Sequence, residues 1–120
     1  MSDDFWRLAD RLVASHALVV DRPGGSHHPV HTDIVYPFDY GYLDGTTACD
    51  SGGIDCWRGS LADAMVTGII ATVDVVKADA EVKLLVGCTE TEMNAALTIH
   101  RSENQGAVLV RRIDIKNAGV

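Results

Sequence analysis

Asp50 and Asp55 flank a Ser51-Gly52-Gly53-Ile54 turn, and shortly before them runs Tyr36-Pro37-Phe38-Asp39-Tyr40-Gly41-Tyr42. Further along, Asp74 ends a run rich in Val, Ile and Thr, and Glu81-Val82-Lys83 opens the next apolar stretch. Two carboxylates five residues apart on a glycine-rich turn can converge on one cation. Short, rigid, anionic oxygens are also the ligands that hard divalent ions prefer. A strand-turn-strand unit carrying Asp74 and Glu81 can close over the same ion from the other side. A phosphate ester or anhydride bound there needs hydrogen-bond donors, and tyrosine and lysine side chains supply them.

The charge distribution sharpens this pattern. Thirteen of the 17 acidic residues are Asp, and five of them (Asp33, Asp39, Asp44, Asp50 and Asp55) fall between Pro23 and Trp57. That stretch has no Lys or Arg, and it holds all three prolines, six of the 11 glycines and all three tyrosines. Asp, Gly and Pro favour turns, so short strands at most are expected in it. Aspartate is also a common turn residue, which alone accounts for an acidic loop.

The elements that must position these side chains can be read on either side. Ser2 is placed to cap a helix over residues 3–15, with Phe5, Leu8, Ala9, Leu12 and Val13 as its apolar stripe. A strand is expected over 17–20, closed by Asp21-Arg22-Pro23-Gly24-Gly25. Residues 64–76 read as a long strand bent at Gly68, turning through 77–80 into a paired strand over 81–87. Thr89 and Glu92 have capping-box spacing and open a second helix through Met93, Ala96, Leu97 and His100. Asn104-Gln105-Gly106 turns into a last strand over 107–115. With 120 residues the chain suits one α+β domain spanning 1–120.

Composition excludes several classes. A net charge of −7 disfavours nucleic acid as a partner, because duplex binding rests on phosphate neutralisation. No apolar run reaches the roughly 18 residues of a spanning helix, so no membrane partner is expected. The N-terminus is acidic where a secretion signal would be basic, and three cysteines (Cys49, Cys56, Cys88) cannot all pair. A cytoplasmic protein with mostly buried free thiols follows. There is no phosphate-cradling GxxxxGK[ST] loop, GxSxG elbow or GxGxxG fingerprint. His27, His28 and His31 surround Pro29, which makes a helical i,i+4 metal pair improbable; a loop histidine near phosphate is an alternative.

The stretch from Tyr36-Pro37 through Thr46, with Asp50 to Asp55, resembles the signature of the barrel-type soluble inorganic pyrophosphatases, Y-P-x-N-Y-G-F/Y-I-P-x-T followed by D-G-D-P-x-D-V. Residues 68–86 are similar to the family's later glycine-led strand ending in Asp, followed by D-x-K and an apolar strand. Val19-Val20-Asp21-Arg22-Pro23 looks like its E-I-P segment. The resemblance covers residues 17–87. It implies a small closed or nearly closed antiparallel β-barrel (OB-like, pyrophosphatase-like) with an N-terminal and a C-terminal helix. It also implies magnesium (or manganese) held by Asp50, Asp55, Asp74 and Glu81, with Tyr40 and Lys83 on the phosphates. Asp79 fits the D-x-K position by spacing from Asp74. Glu81 is preferred, because Lys83 and Leu84-Leu85-Val86 then fall into place.

The departures from that signature are specific. Gly52 stands where the family has the middle Asp of its three-aspartate motif, a carboxylate that helps hold and activate the attacking water. The family's early Lys and Arg have no counterpart between Pro23 and Trp57, and its closing Tyr-Lys pair is replaced by His100 and Arg101. Each lost electrostatic contact typically removes a few kcal/mol of barrier lowering. The expected function is therefore a magnesium-dependent phosphoanhydride hydrolase in ancestry, with weak or lost activity. Its ligand would be pyrophosphate or another small phosphorylated molecule. The alternative is a non-catalytic metal- or phosphate-binding barrel, or one that assembles as a homo-oligomer.

Overall fold

The computed structural model describes residues 3–49 and 52–112; Asp50 lies outside the described residues. The order of elements is α1 (Asp3–Ala14), β1 (Leu18–Arg22), β2 (Asp39–Leu43), β3 (Ile54–Arg58), β4 (Val66–Asp74), β5 (Asp79–Val86), α2 (Glu90–Ile99) and β6 (Gln105–Arg111). No described helix is long and apolar enough to cross a membrane.

Alternation along the strands builds two cores, one on each face of the sheet. Ile69, Cys56, Leu84 and Val86 point to one face, against Trp6, Ala9 and Val13 of α1. Ile70, Trp57 and Leu85 point to the other, against Met93 and Ala96 of α2. This is the period-two geometry of a strand applied to runs that are apolar at every position, as sheets covered on both sides require.

The strands lie in the order β1-β2-β3-β5-β4-β6. Every neighbouring pair is antiparallel except β3 and β5, which run parallel. The sheet is therefore mixed, not wholly antiparallel, and among the described residues its edges β1 and β6 do not pair with each other. The β4–β5 hairpin folds back so that its second strand, not its first, lies beside β3. That choice buries Leu84, Leu85 and Val86 at the centre. At Gly68 the β4–β5 register shifts, and Met93 of α2 packs so close that a Cβ there would stand 2.9 Å from its sulfur. At Gly41 a Cβ would run into the Val19 carbonyl oxygen, so only glycine lets β1 and β2 approach.

The second helix forms as its capping signal requires and the first needs one correction; the expected Ser2 cap and residues 113–115 of the last strand lie outside the described residues. Thr89 accepts from the Glu92 amide and Glu92 accepts from the Thr89 amide, completing the capping box. In α1, however, Phe5 and Leu8 are 39% and 49% exposed, and Trp6 takes their place in the core beside the expected Ala9 and Val13. Trp6 at i, i+3 and i+7 spacing from Ala9 and Val13 offers more apolar area than the Phe5 stripe, and rotating the helix also aims Asp10 at the sheet. Its carboxylate accepts from the Val66 amide at 2.9 Å and from the Arg112 guanidinium at 2.8 Å. Of the three cysteines, Cys56 and Cys88 are buried as expected, but Cys49 is exposed.

Candidate functional site

The face covered by α2 carries the site. Asp55 shares that face with Trp57, and Glu81 and Lys83 share it with Leu85, because each pair is two or four residues apart on one strand. The parallel register sets Trp57 beside Leu85 and Cys56 beside Leu84, so one step upstream Asp55 lies beside Lys83. Tyr40 stands opposite Trp57 across the β2–β3 ladder. Three strands thus bring together four residues that the sequence spreads over 44 positions.

The Lys83 ammonium is buried and donates to Asp55 Oδ2 at 2.9 Å, and it lies 3.5 Å from Glu81 Oε2. The same nitrogen sits 5.9 Å from the centre of the Tyr40 ring. Burial first, then the charge of Asp55, pushes the Tyr40 phenol far above its ordinary value, so it acts as a neutral donor. Asp74 lines the same cleft from the β4–β5 turn. Its Oδ1 accepts from the amides of Val76 and Lys77, both at 2.9 Å, while Ala78 takes a left-handed φ of 56°. Asp79 pairs with Asp74 in the ladder and does not line the cleft, whereas Glu81 does.

A buried histidine completes the floor. The Trp57 indole N–H donates to His100 Nε2 at 2.9 Å, which leaves the proton of the neutral ring on Nδ1. Burial, followed by the nearby Lys83 charge, lowers the His100 pKa to about 3. His100 therefore adds an uncharged group to the floor of the cleft. His28 and His31 also line the cleft, with ring centres 5.1 Å apart; His28 Nδ1 accepts from the amides of Val30 and His31. Burial, then the charges of His31, Arg22 and Lys77, holds His28 below its ordinary pKa. His27 instead donates from Nδ1 to the Thr32 carbonyl.

Arg22 and Lys77 were not legible as site residues. Arg22 lies one position before the stretch that lacks basic residues, and Lys77 falls in a turn, yet both line the cleft. The site therefore has more cationic character than the gap between Pro23 and Trp57 implies. The cleft encloses about 840 Å³, and its charged lining sets Asp21, Asp55, Asp74 and Glu81 against Arg22, Lys77 and Lys83. Asp55 and Glu81 are anionic oxygen donors of the kind magnesium takes, so the donor chemistry fits that ion. Among the described residues, no three His, Cys, Asp or Glu side chains are grouped to hold one metal.

No protein-family model and no curated protein sequence matches the chain. Solved structures do. The inorganic pyrophosphatase from Coxiella burnetii superposes with a TM-score of 0.57 at 14% identity, over 84% of this chain and 86% of that one. The inorganic pyrophosphatase of Helicobacter pylori gives 0.56 at 14%, covering 84% and 85%. An inorganic phosphatase from Anaplasma phagocytophilum gives 0.58 at 13%, again covering 84% and 85%. At such identity the likeness speaks for the backbone arrangement: the chain has the fold of the bacterial inorganic pyrophosphatases, carried by a far-diverged sequence.

Proposed function

We propose that this chain binds a small phosphorylated ligand together with magnesium or manganese, and that its pyrophosphate-hydrolysing activity is weak or lost. The observation that carries the reading is the convergence of Asp55, Glu81, Lys83 and Tyr40 in one cleft, with Asp74 on its wall. Asp55 and Glu81, with Asp74 and Asp50, would hold the cation, which when bound would polarise phosphoryl oxygens. Lys83 and the neutral Tyr40 hydroxyl would donate to phosphate oxygens. In this reading Lys83 neutralises the two carboxylates until a ligand draws it away.

Gly52 is the reason for weak or lost turnover. It has no side-chain carboxylate to ligate a metal or take a proton from water, and four carboxylates against three cations leave the cleft ill-suited to a tetra-anion. Phosphate release from pyrophosphate with excess magnesium should be near background, and Gly52→Asp should raise it at least tenfold. Brisk turnover by the unmodified chain would mean that another group activates the water. Millimolar magnesium should raise the thermal midpoint, since a ligand of the native state alone stabilises it. Asp55→Asn should remove that rise.

A self-assembling role rests on a different observation. On the face shared with α1, Val73, Val82 and Val108 are exposed beyond the reach of the helix. Val82→Lys should leave a monomer in sedimentation if that face joins two copies; an unchanged mass would discard this second reading.

A further inference from the structure

We propose that the cleft takes a phosphate ester or anhydride bearing an apolar organic group about the size of an aromatic ring, in preference to bare pyrophosphate. The inference rests on the phosphate-ligand reading and concerns the half of the cleft that reading leaves unused. Lys83, Asp55 and Glu81 form one ionic pole of the cleft, while Arg22 and Lys77 lie near enough to His28 for their charges to act on its ring. From Tyr40 a series of rings leads away from that pole. Tyr36 lies 5.6 Å from Tyr40, His28 lies 6.3 Å from Tyr36, and His31 lies 5.1 Å from His28.

The far end of this series is a small hairpin. Tyr36 bonds to Ser26, His28 bonds to Ile34 and His27 bridges Val35, which together present Val30 and Ile34 to the cleft. Ile99, at the end of α2, and Val76, in the β4–β5 turn, line it as well. These apolar side chains offer nothing to bare pyrophosphate, every edge of which is ionic. They do offer burial to a hydrocarbon or aromatic group attached to one.

Size and charge point the same way. The cleft's volume of about 840 Å³ is near the upper end of the roughly 300–1,000 Å³ typical of sites for drug-sized organic ligands. Its four carboxylates exceed its three Lys and Arg side chains by one negative charge, which suits a phosphomonoester dianion with one divalent cation better than a tetra-anion. A phosphoryl group at Lys83 would leave its organic substituent along the Tyr36–His28 wall.

The test holds the anion constant and changes the substituent. Methyl phosphate, phenyl phosphate and pyrophosphate are titrated calorimetrically into the full chain with excess magnesium at pH 7.5. Phenyl phosphate should bind at least tenfold more tightly than methyl phosphate, and more tightly than pyrophosphate. Ile34→Asn should bring phenyl phosphate down to the affinity of methyl phosphate. Equal affinities for the two esters, tightest binding of pyrophosphate, or an undiminished phenyl preference in a folded Ile34→Asn variant would each overturn the inference. In those cases the phosphate-ligand reading survives, because a phosphate still binds. If none of the three binds, that reading falls and this inference falls with it.

Discussion

Asp55 and Asp74 are both carboxylates on the wall of one cleft, but the surroundings that hold them differ in kind. Asp55 lies on β3 and finds its partner on β5, 28 residues away, through a parallel register that central packing imposes. Asp74 lies at the end of β4 and finds its partners two and three residues on, in the amides of its own turn. The first is a charge whose counter-charge the fold must deliver. The second is locally satisfied wherever the hairpin forms. A site carboxylate can therefore carry the stability of the domain or only that of a turn, and exchange of a ligand disturbs these two very unequally.

The largest expected effect comes from breaking the first arrangement. Lys83→Met removes the cation that Asp55 and Glu81 share, leaving two half-buried carboxylates facing each other. Losing one partner of a buried ion pair typically costs ~3 kcal/mol or more. Urea unfolding at pH 7 should show a loss of about that size, and added magnesium should recover part of it by replacing the ammonium. A loss under ~0.5 kcal/mol would mean that the pair is no more than a surface contact.

The next effect separates the cleft floor from its rim by pH. His100 is held neutral with a pKa of about 3, whereas an unfolded histidine titrates near 6.5. On acidification the unfolded chain takes up this proton first. The contribution is therefore fully present above pH 6.5 and declines as pH falls from there towards 3, by up to ~1.4 kcal/mol per pH unit. Stability should drop by roughly 2 kcal/mol between pH 6.5 and 5 from this group alone. His100→Gln keeps an acceptor for the Trp57 indole but cannot titrate there, so it should flatten that slope. An unchanged slope would place the titrating group elsewhere.

Breaking the second arrangement should matter least. Asp74→Ala removes the acceptor for two turn amides and should cost ~1 kcal/mol, comparable to losing a helix cap. Asp74→Asn keeps a side-chain oxygen and should stay within about 0.5 kcal/mol of the parent. If Asp74→Asn nevertheless abolishes the magnesium-induced shift, the turn aspartate contributes to the cation as well as to the backbone.

Much of the fold was legible because it depends on near neighbours. The Thr89–Glu92 box, the bend at Gly68 and the turn-rich stretch before Trp57 each follow from interactions within a few residues. The misreading in α1 has the same local origin. Phe5 and Leu8 complete an apolar stripe, but Trp6 one position away makes a stripe too, and only the sheet's demand for Asp10 at Val66 and Arg112 chooses between them. A closed or nearly closed antiparallel barrel was expected from the resemblance. The parallel β3–β5 seam arises because the hairpin can fold back with either strand innermost, and strand patterning does not distinguish the two.

By itself the sequence determined which residues could do chemistry and which short segments would carry them, since residue type and local periodicity are properties of the chain. The tertiary structure alone decided that Lys83 lies between Asp55 and Glu81, that Trp57 sets the tautomer of His100, and that Arg22 and Lys77 join the cleft. Those pairings span tens of residues, and the packing of both sheet faces selects them jointly. No local pattern encodes that selection.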